Sequence, residues 1–141
     1  MARQAIAEWK GDLKAGKGHV KFGSGAYEGD YSFTSRFEDK PGANPEEMIG
    51  AALGGCFSMA LANTLAQLGF VANSIHTTAD VHLGKDDKGF LITHIDLTCV
   101  GDVPNIGEAL FLEHAEKTSK GCIIARALAA TPISLKASLK R

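Results

Sequence analysis

Cysteine is scarce: the 141 residues hold three, too few and odd in number for the disulfide framework of a small secreted domain. Cys56, Cys99 and Cys122 form no CxxC and no cysteine–histidine cluster, which argues against a structural zinc. There is no basic tract and the formal net charge is −1, so neither nucleic acid nor a membrane surface is expected as a partner. The N-terminus lacks an apolar run of signal-peptide length, and the expected address is the cytoplasm. The glycine-rich run at residues 23–29 has the wrong spacing for a dinucleotide fingerprint and reads as a loop, so no cofactor is expected. No repeat, low-complexity tract or linker interrupts the chain, and one domain over residues 1–141 is the expectation. In a reducing compartment, such thiols are either inert core residues or chemistry.

What is present reads first as strand. Residues 5–9 alternate loosely, Gly11, Gly16 and Gly18 bracket a hairpin-like turn, and residues 19–22 and 31–36 are two further strand-like runs. Residues 75–83 alternate clearly, with Thr77, Ala79, Val81 and Leu83 on one face and His76, Thr78, Asp80 and His82 on the other. After a turn at residues 86–89, the chain returns over residues 90–100 with Leu91, Ile95, Leu97 and Cys99 aligned. An amphipathic helix is predicted over residues 107–120, with Glu108 near its start and Lys117 and Lys120 near its end, as the helix dipole favours. Gly121 caps it and Cys122 sits at the break. Residues 123–130 read as a short helix and 132–139 as a closing strand. The class is α+β.

Between residues 37–43 and this second half lies a strong helix signal. Asn44 suits the N-cap, Pro45 the first helical position, Glu47 the return bond of a capping box, and Gly69 the stop. No charged residue falls between Met48 and Gly69. About 20 uncharged residues are enough to cross a bilayer, and Gly50 and Gly54 form a GxxxG. Yet Ser58, Asn63, Thr64 and Gln67 are polar, Gly and Ala dominate, and flanking basic and aromatic anchors are missing. The segment reads instead as a helix buried on nearly every side of a soluble protein. One sheet covers one side of a helix. So short a chain has few elements left for the other, and a second copy of the chain, a homodimer, is the economical cover.

Each candidate for chemistry has a plainer reading. Cys56 lies mid-helix, where a lone cysteine is usually a small core hydrophobe. Its thiolate would need a cation or hydrogen-bond donor, and Arg36, Arg126 and several lysines are all open. Cys122 follows a helix-ending glycine, and backbone N–H groups there would favour a thiolate; a tight-turn role is about as plausible. Cys99, on the apolar face of a strand, reads as core. Glu46 and Glu47 are fully explained as helix-start residues. His76 and His82 with Asp80 imitate a metal site, but a solvated strand face accounts for them. No Ser/His/Asp arrangement has a recognisable signature.

The run NPEEMIGAA from Asn44, CFSMAL from Cys56 and the Gly121-Cys122 pair resemble the OsmC/Ohr family, the osmotically inducible protein C and organic hydroperoxide resistance proteins. The likeness extends to EWKGD from Glu8, YSFTSRFE from Tyr31, SIHTTADV from Ser74 and the spacing between the cysteines, and it is nearest to the OsmC branch. It implies β-sheets packed around a long central helix in an intertwined homodimer. It also implies a peroxidase in which Cys56 is the peroxidatic thiol and Cys122 the resolving thiol. Arg36 falls where the OsmC branch places its thiolate-stabilising arginine, and Glu46 where the family has a glutamate that orients that arginine. One departure stands out: Ile123 and Ile124 follow the second cysteine, where the family commonly has proline and a small residue.

The implied reaction is reduction of an organic hydroperoxide to its alcohol through a Cys56 sulfenic acid and a Cys56–Cys122 disulfide. An external dithiol, a lipoyl protein among the candidates, would then reduce the disulfide. Apolar neighbours such as Phe57 and Met59 would suit an alkyl tail. The competing readings are a thiol-dependent hydrolase or disulfide oxidoreductase, and a dimeric small-molecule binding protein whose cysteines are merely core.

Overall fold

A computed structural model describes every residue, 1–141, and the chain divides into two compact units, Met1–Met48 and Ile49–Arg141. The first holds strands β1 (Ala5–Lys10), β2 (Lys17–Phe22) and β3 (Glu28–Tyr31), paired antiparallel in that order. The Trp9 indole N–H caps the first turn by donating to the Gly11 carbonyl at 3.0 Å.

Residues 31–36 are a correction. The strand ends at Tyr31, and helix α1 (Phe33–Phe37) follows. Ser32 and Ser35 close a reciprocal cap: the Ser32 hydroxyl accepts from the Ser35 N–H at 3.1 Å, and the Ser35 hydroxyl accepts from the Ser32 N–H at 2.9 Å. Two serines three apart satisfy the orphan donors of a helix start and outweigh the β-propensity of the aromatics around them. The run at residues 23–29 is also tighter than a loop, since β3 already begins at Glu28 and the Phe22 N–H donates to the Tyr27 carbonyl at 2.9 Å.

Helix α2 (Pro45–Gln67) starts at the end of the first unit. Asn44 Oδ1 accepts from the Glu47 N–H at 2.8 Å, and Pro45 takes the first helical position. At the other end Gly69 has φ +94, a left-handed conformation that favours glycine. The Phe70 N–H reaches back to the Leu65 carbonyl at 2.8 Å and the Gly69 N–H to that of Ala66 at 3.0 Å, a Schellman stop.

In the second unit β4 (Ser74–Asp86) pairs antiparallel with β5 (Gly89–Asp102), which pairs in parallel with β6 (Ile133–Leu139). A parallel pair needs a crossover, and α3 (Glu108–Gly121) with α4 (Ile123–Ala127) supplies it. Leu53, Phe57, Leu61 and Leu65, spaced four apart on α2, are fully buried with Ile95, Leu97 and Cys99 of β5 and Phe111 and Ala115 of α3. Each such aliphatic or aromatic side chain contributes about 1.5–3 kcal/mol on burial. Gly50 and Gly54 face β4: a Cβ on Gly50 would sit 3.3 Å from Val81 Cγ2. This core packing makes α2 the central helix of the unit, although its length and composition alone would suit a membrane span.

The opposite face of α2 is uncovered. Ala51, Ala52, Gly55, Met59, Asn63 and Ala66 are exposed, Met59 by 77%. The burial expected on nearly every side is therefore met on one side by this chain.

The β4–β5 alternation matches expectation except at one place. The register shifts beside His82 and Leu83: His82 faces His94 but Leu83 faces Ile92, so Thr93 is an extra residue. A bulge inverts the facing of everything beyond it. Ile92 takes the inner position beside the core, and Leu91, expected to align with Ile95, is turned out and exposed.

Candidate active site

The four residues singled out in the sequence fall into two pairs. In the first unit, Arg36 lies in the last turn of α1, and the chain folds back so that Ala43 pairs with Tyr31 before α2 starts. The Ser35 hydroxyl ties down this return by donating to the Ala43 carbonyl at 2.8 Å. Gly42, at φ +133, lies so close that an added Cβ would be 3.0 Å from that of Ser35. The result is a fork: Arg36 Nε donates to Glu46 Oε1 and Oε2 at 3.1 and 3.3 Å, and Nη2 donates to Oε1 at 2.8 Å. Glu46 is buried and the Arg36 side chain is 38% exposed. A planar fork held by a buried carboxylate has its orientation fixed, and its Nη1 edge is not used in this pair.

In the second unit, Cys56 stands on α2 at the border between the buried stripe and the open face, half-buried against the core. Cys122 is buried, ends α3 and heads α4, its own N–H donating to the Thr118 carbonyl at 3.0 Å. The two thiols are near enough for Cys56 to raise the Cys122 thiol, and both are free. The backbone N–H of Ile124, in the first turn of α4, donates to Cys56 Sγ at 3.4 Å.

This last contact was invisible beforehand. It comes from the main chain, which leaves no residue-type signature, and it arises at one of the two isoleucines that mark the departure from the family pattern. For Cys122 the expected effect of the helix start is outweighed. Burial pushes its thiol up from the ordinary range, and the neighbouring Cys56 adds to the rise. The Ala125 and Ile124 N–H groups pull the other way without cancelling it. Cys99 is fully buried and raised by burial, which the neighbouring Thr77 side chain opposes without cancelling, in keeping with a core role. Phe57 is fully buried in the core, so of the two apolar neighbours only Met59 is exposed in the single chain.

The fold and this pairing define a class: an α+β protein carrying one cysteine on a central helix and a second at the head of a short helix beside it. The OsmC-like protein family model matches residues 37–137, and the chain belongs to that family. Peroxiredoxin OsmC of Escherichia coli (strain K12) is 47% identical over 139 residues, covering 98% of this chain and 96% of that protein, and the Shigella flexneri protein of the same name matches equally. Among solved structures, an OsmC-like protein of unknown function from Vibrio cholerae superposes with a TM-score of 0.79 at 18% identity, covering 98% of this chain and 99% of that one. The organic hydroperoxide resistance protein OhrB of Bacillus subtilis gives 0.72 at 20%, covering 97% and 98%. These likenesses place the fold among the OsmC and Ohr proteins.

Proposed function

We propose that this chain, one OsmC-like domain over its whole length, reduces organic hydroperoxides through Cys56, with Cys122 as the resolving thiol. That it is a cysteine-based peroxidase of stress defence rests on its relationship to the peroxiredoxins OsmC. The observation that carries the assignment of roles is the pairing of Cys56 with Cys122 beneath the Ile124 N–H.

The Cys56 thiolate attacks the peroxide O–O bond. An S–O bond forms as O–O breaks, sulfur is oxidised by two electrons, and the alkoxide leaves and takes up a proton to become the alcohol. A donor aimed at the sulfur favours the charged form of the nucleophile. The Cys122 thiol then attacks the sulfenic sulfur, giving a disulfide and water. An external dithiol, for which a lipoyl protein is a candidate, exchanges with that disulfide and restores both thiols. Such a cycle suits a reducing compartment, and we place the protein in the cytoplasm.

Arg36, oriented by Glu46, is the proposed cation for the thiolate. Ten residues separate Glu46 from Cys56 on the continuous helix α2, about 15 Å at ~1.5 Å per residue. A site completed across a homodimer resolves this, with Cys56 and Cys122 from one subunit and Arg36 and Glu46 from the other. The uncovered face of α2 supports such a dimer.

Thiol labelling before and after one equivalent of cumene hydroperoxide tests the function. The expected result is that Cys56 and Cys122 are lost together while Cys99 stays. Retention of both thiols would leave a binding protein with core cysteines.

A further inference from the structure

The outer face of the second sheet carries a histidine-rich cluster that the peroxidase chemistry does not use. His82 of β4 stands directly opposite His94 of β5, their rings stacked with centroids 4.1 Å apart and planes inclined by 10°. Asp96, two residues further along β5 on the same face, brings Oδ2 to 2.9 Å from His82 Nε2 and 3.6 Å from His94 Nε2. The donor atoms of all three lie within 4.8 Å of one another. The motif His76-x-x-x-Asp80-x-His82, read along one strand, missed this grouping because its members come from two strands.

Two further hydrogen bonds prepare the group for a cation. The Thr93 hydroxyl is 3.3 Å from the His82 carbonyl, to which it can donate its single proton, and 2.9 Å from His94 Nδ1; both contacts are satisfied when that nitrogen carries the N–H and donates to the hydroxyl. In the neutral ring this leaves the lone pair of His94 on Nε2, facing the Asp96 carboxylate. Ser134 of β6 donates to Asp96 Oδ1, which turns Oδ2 towards the imidazoles. Histidine bonded through its other ring nitrogen and a carboxylate bonded through its other oxygen are the outer-shell arrangement of a metal site.

The electrostatics point the same way. A bare imidazole nitrogen opposite a carboxylate oxygen is a meeting of two acceptors, relieved by a positive charge between them. Asp80, opposite Asp96 on the same exposed face, adds negative charge. The Thr93 bulge aims the set, since it ends the regular register immediately after the His82–His94 pair.

We propose that His82, His94 and Asp96 form a surface site for a late first-row divalent cation of the zinc class, with Thr93 and Ser134 as its positioning residues. Two imidazoles and one carboxylate with open solvent-side positions suit such ions. Zinc bonds of about 2.0–2.1 Å set neighbouring donors roughly 3.3 Å apart, so side-chain rotation has to open the 2.9 Å pair of His82 and Asp96 and close the 3.6 Å pair of His94 and Asp96. The site faces away from the core, because Val81 and Ala79, its neighbours on β4, point instead towards Gly50 of α2.

Zinc(II) titrated against a chromophoric chelator tests this. The full chain carries Cys56→Ser and Cys122→Ser, so that those thiols do not compete. One zinc per chain is expected, with X-ray absorption showing nitrogen and oxygen donors and no sulfur. In the same background His82→Gln and His94→Gln should each weaken binding at least tenfold. Thr93→Val, which keeps all three ligands, should weaken it by roughly tenfold through the loss of His94 orientation. Circular dichroism confirms the fold of each variant, and the two glutamine variants decide the matter should Thr93→Val disturb the bulge. Absence of stoichiometric zinc at micromolar metal, a sulfur donor, or an affinity unchanged in both glutamine variants would each overturn the proposal.

Discussion

The main-chain N–H of Ile124 donates to the Cys56 sulfur at 3.4 Å, joining the first turn of α4 to the middle of α2 across 68 residues of sequence. The break at Cys122, which ends one helix and begins the next, puts that N–H among the unpaired donors of a helix start. A sulfur takes the place of a carbonyl there, and the donor is strongest for a thiolate.

Cys56→Ser should abolish peroxide turnover while leaving the fold intact, since the side chain is only half-buried. Cys122→Ser should consume roughly one peroxide per chain and then stall as the sulfenic acid, detectable by mass spectrometry after dimedone trapping. Normal cycling of Cys122→Ser would take the resolving role from that residue.

Arg36→Ala should slow the reaction of Cys56 with peroxide at neutral pH, part of the rate returning as pH rises and the thiol ionises without help. Arg36→Lys should restore only part of it, because a point charge cannot keep the fork on Glu46. Loss of the pair should also cost about 1 kcal/mol in urea unfolding, a modest figure because the guanidinium is partly screened by solvent. A rate defect of the same size at every pH would indicate substrate positioning instead.

Gly55→Glu tests the dimer through α2. An added Cβ meets nothing within 4 Å in the single chain, and glutamate is the better helix former, so the fold should persist. On a face packed against a second copy it buries a charge, and light scattering should then show monomers where the parent chain is expected to give dimers. A parent chain that is itself monomeric at micromolar concentration removes the dimer.

The shared site makes a separate demand. A heterodimer of one Cys56→Ser chain and one Arg36→Ala chain, purified on two tags, should carry one intact site and about half the wild-type activity per dimer, although both parent homodimers are nearly dead. No rescue in a verified heterodimer would confine each site to one chain.

Stability should fall as the solution is made alkaline. The Cys99 and Cys122 thiols are raised in the folded state, mainly by burial, so the native protein holds protons that the unfolded chain releases. Their contribution is complete below the unfolded thiol range, about 8.5, and is lost as pH rises through the folded values. Cys99→Ala should flatten this alkaline slope in thermal unfolding, measured against the parent chain at each pH.

By itself, the sequence determined what depends on neighbours along the chain. The Asn44-Pro45 start and Gly69 stop of α2 were legible because caps are local, and so were the inner face of β4 and the core place of Cys99, because side chains alternate with a period of two. Residues 31–36 read as strand in the sequence because their aromatics mask a cap built from two serines. The rest was decided by tertiary structure. The Thr93 bulge, which turns Leu91 outward and sets His82 against His94, depends on the register between β4 and β5, and register is a property of two strands rather than one. The grip of Glu46 on Arg36 depends on the return of the chain at Gly42. The donor to Cys56 is a peptide N–H, which every residue but proline carries alike, so only the folding of α4 against α2 could say which one it is.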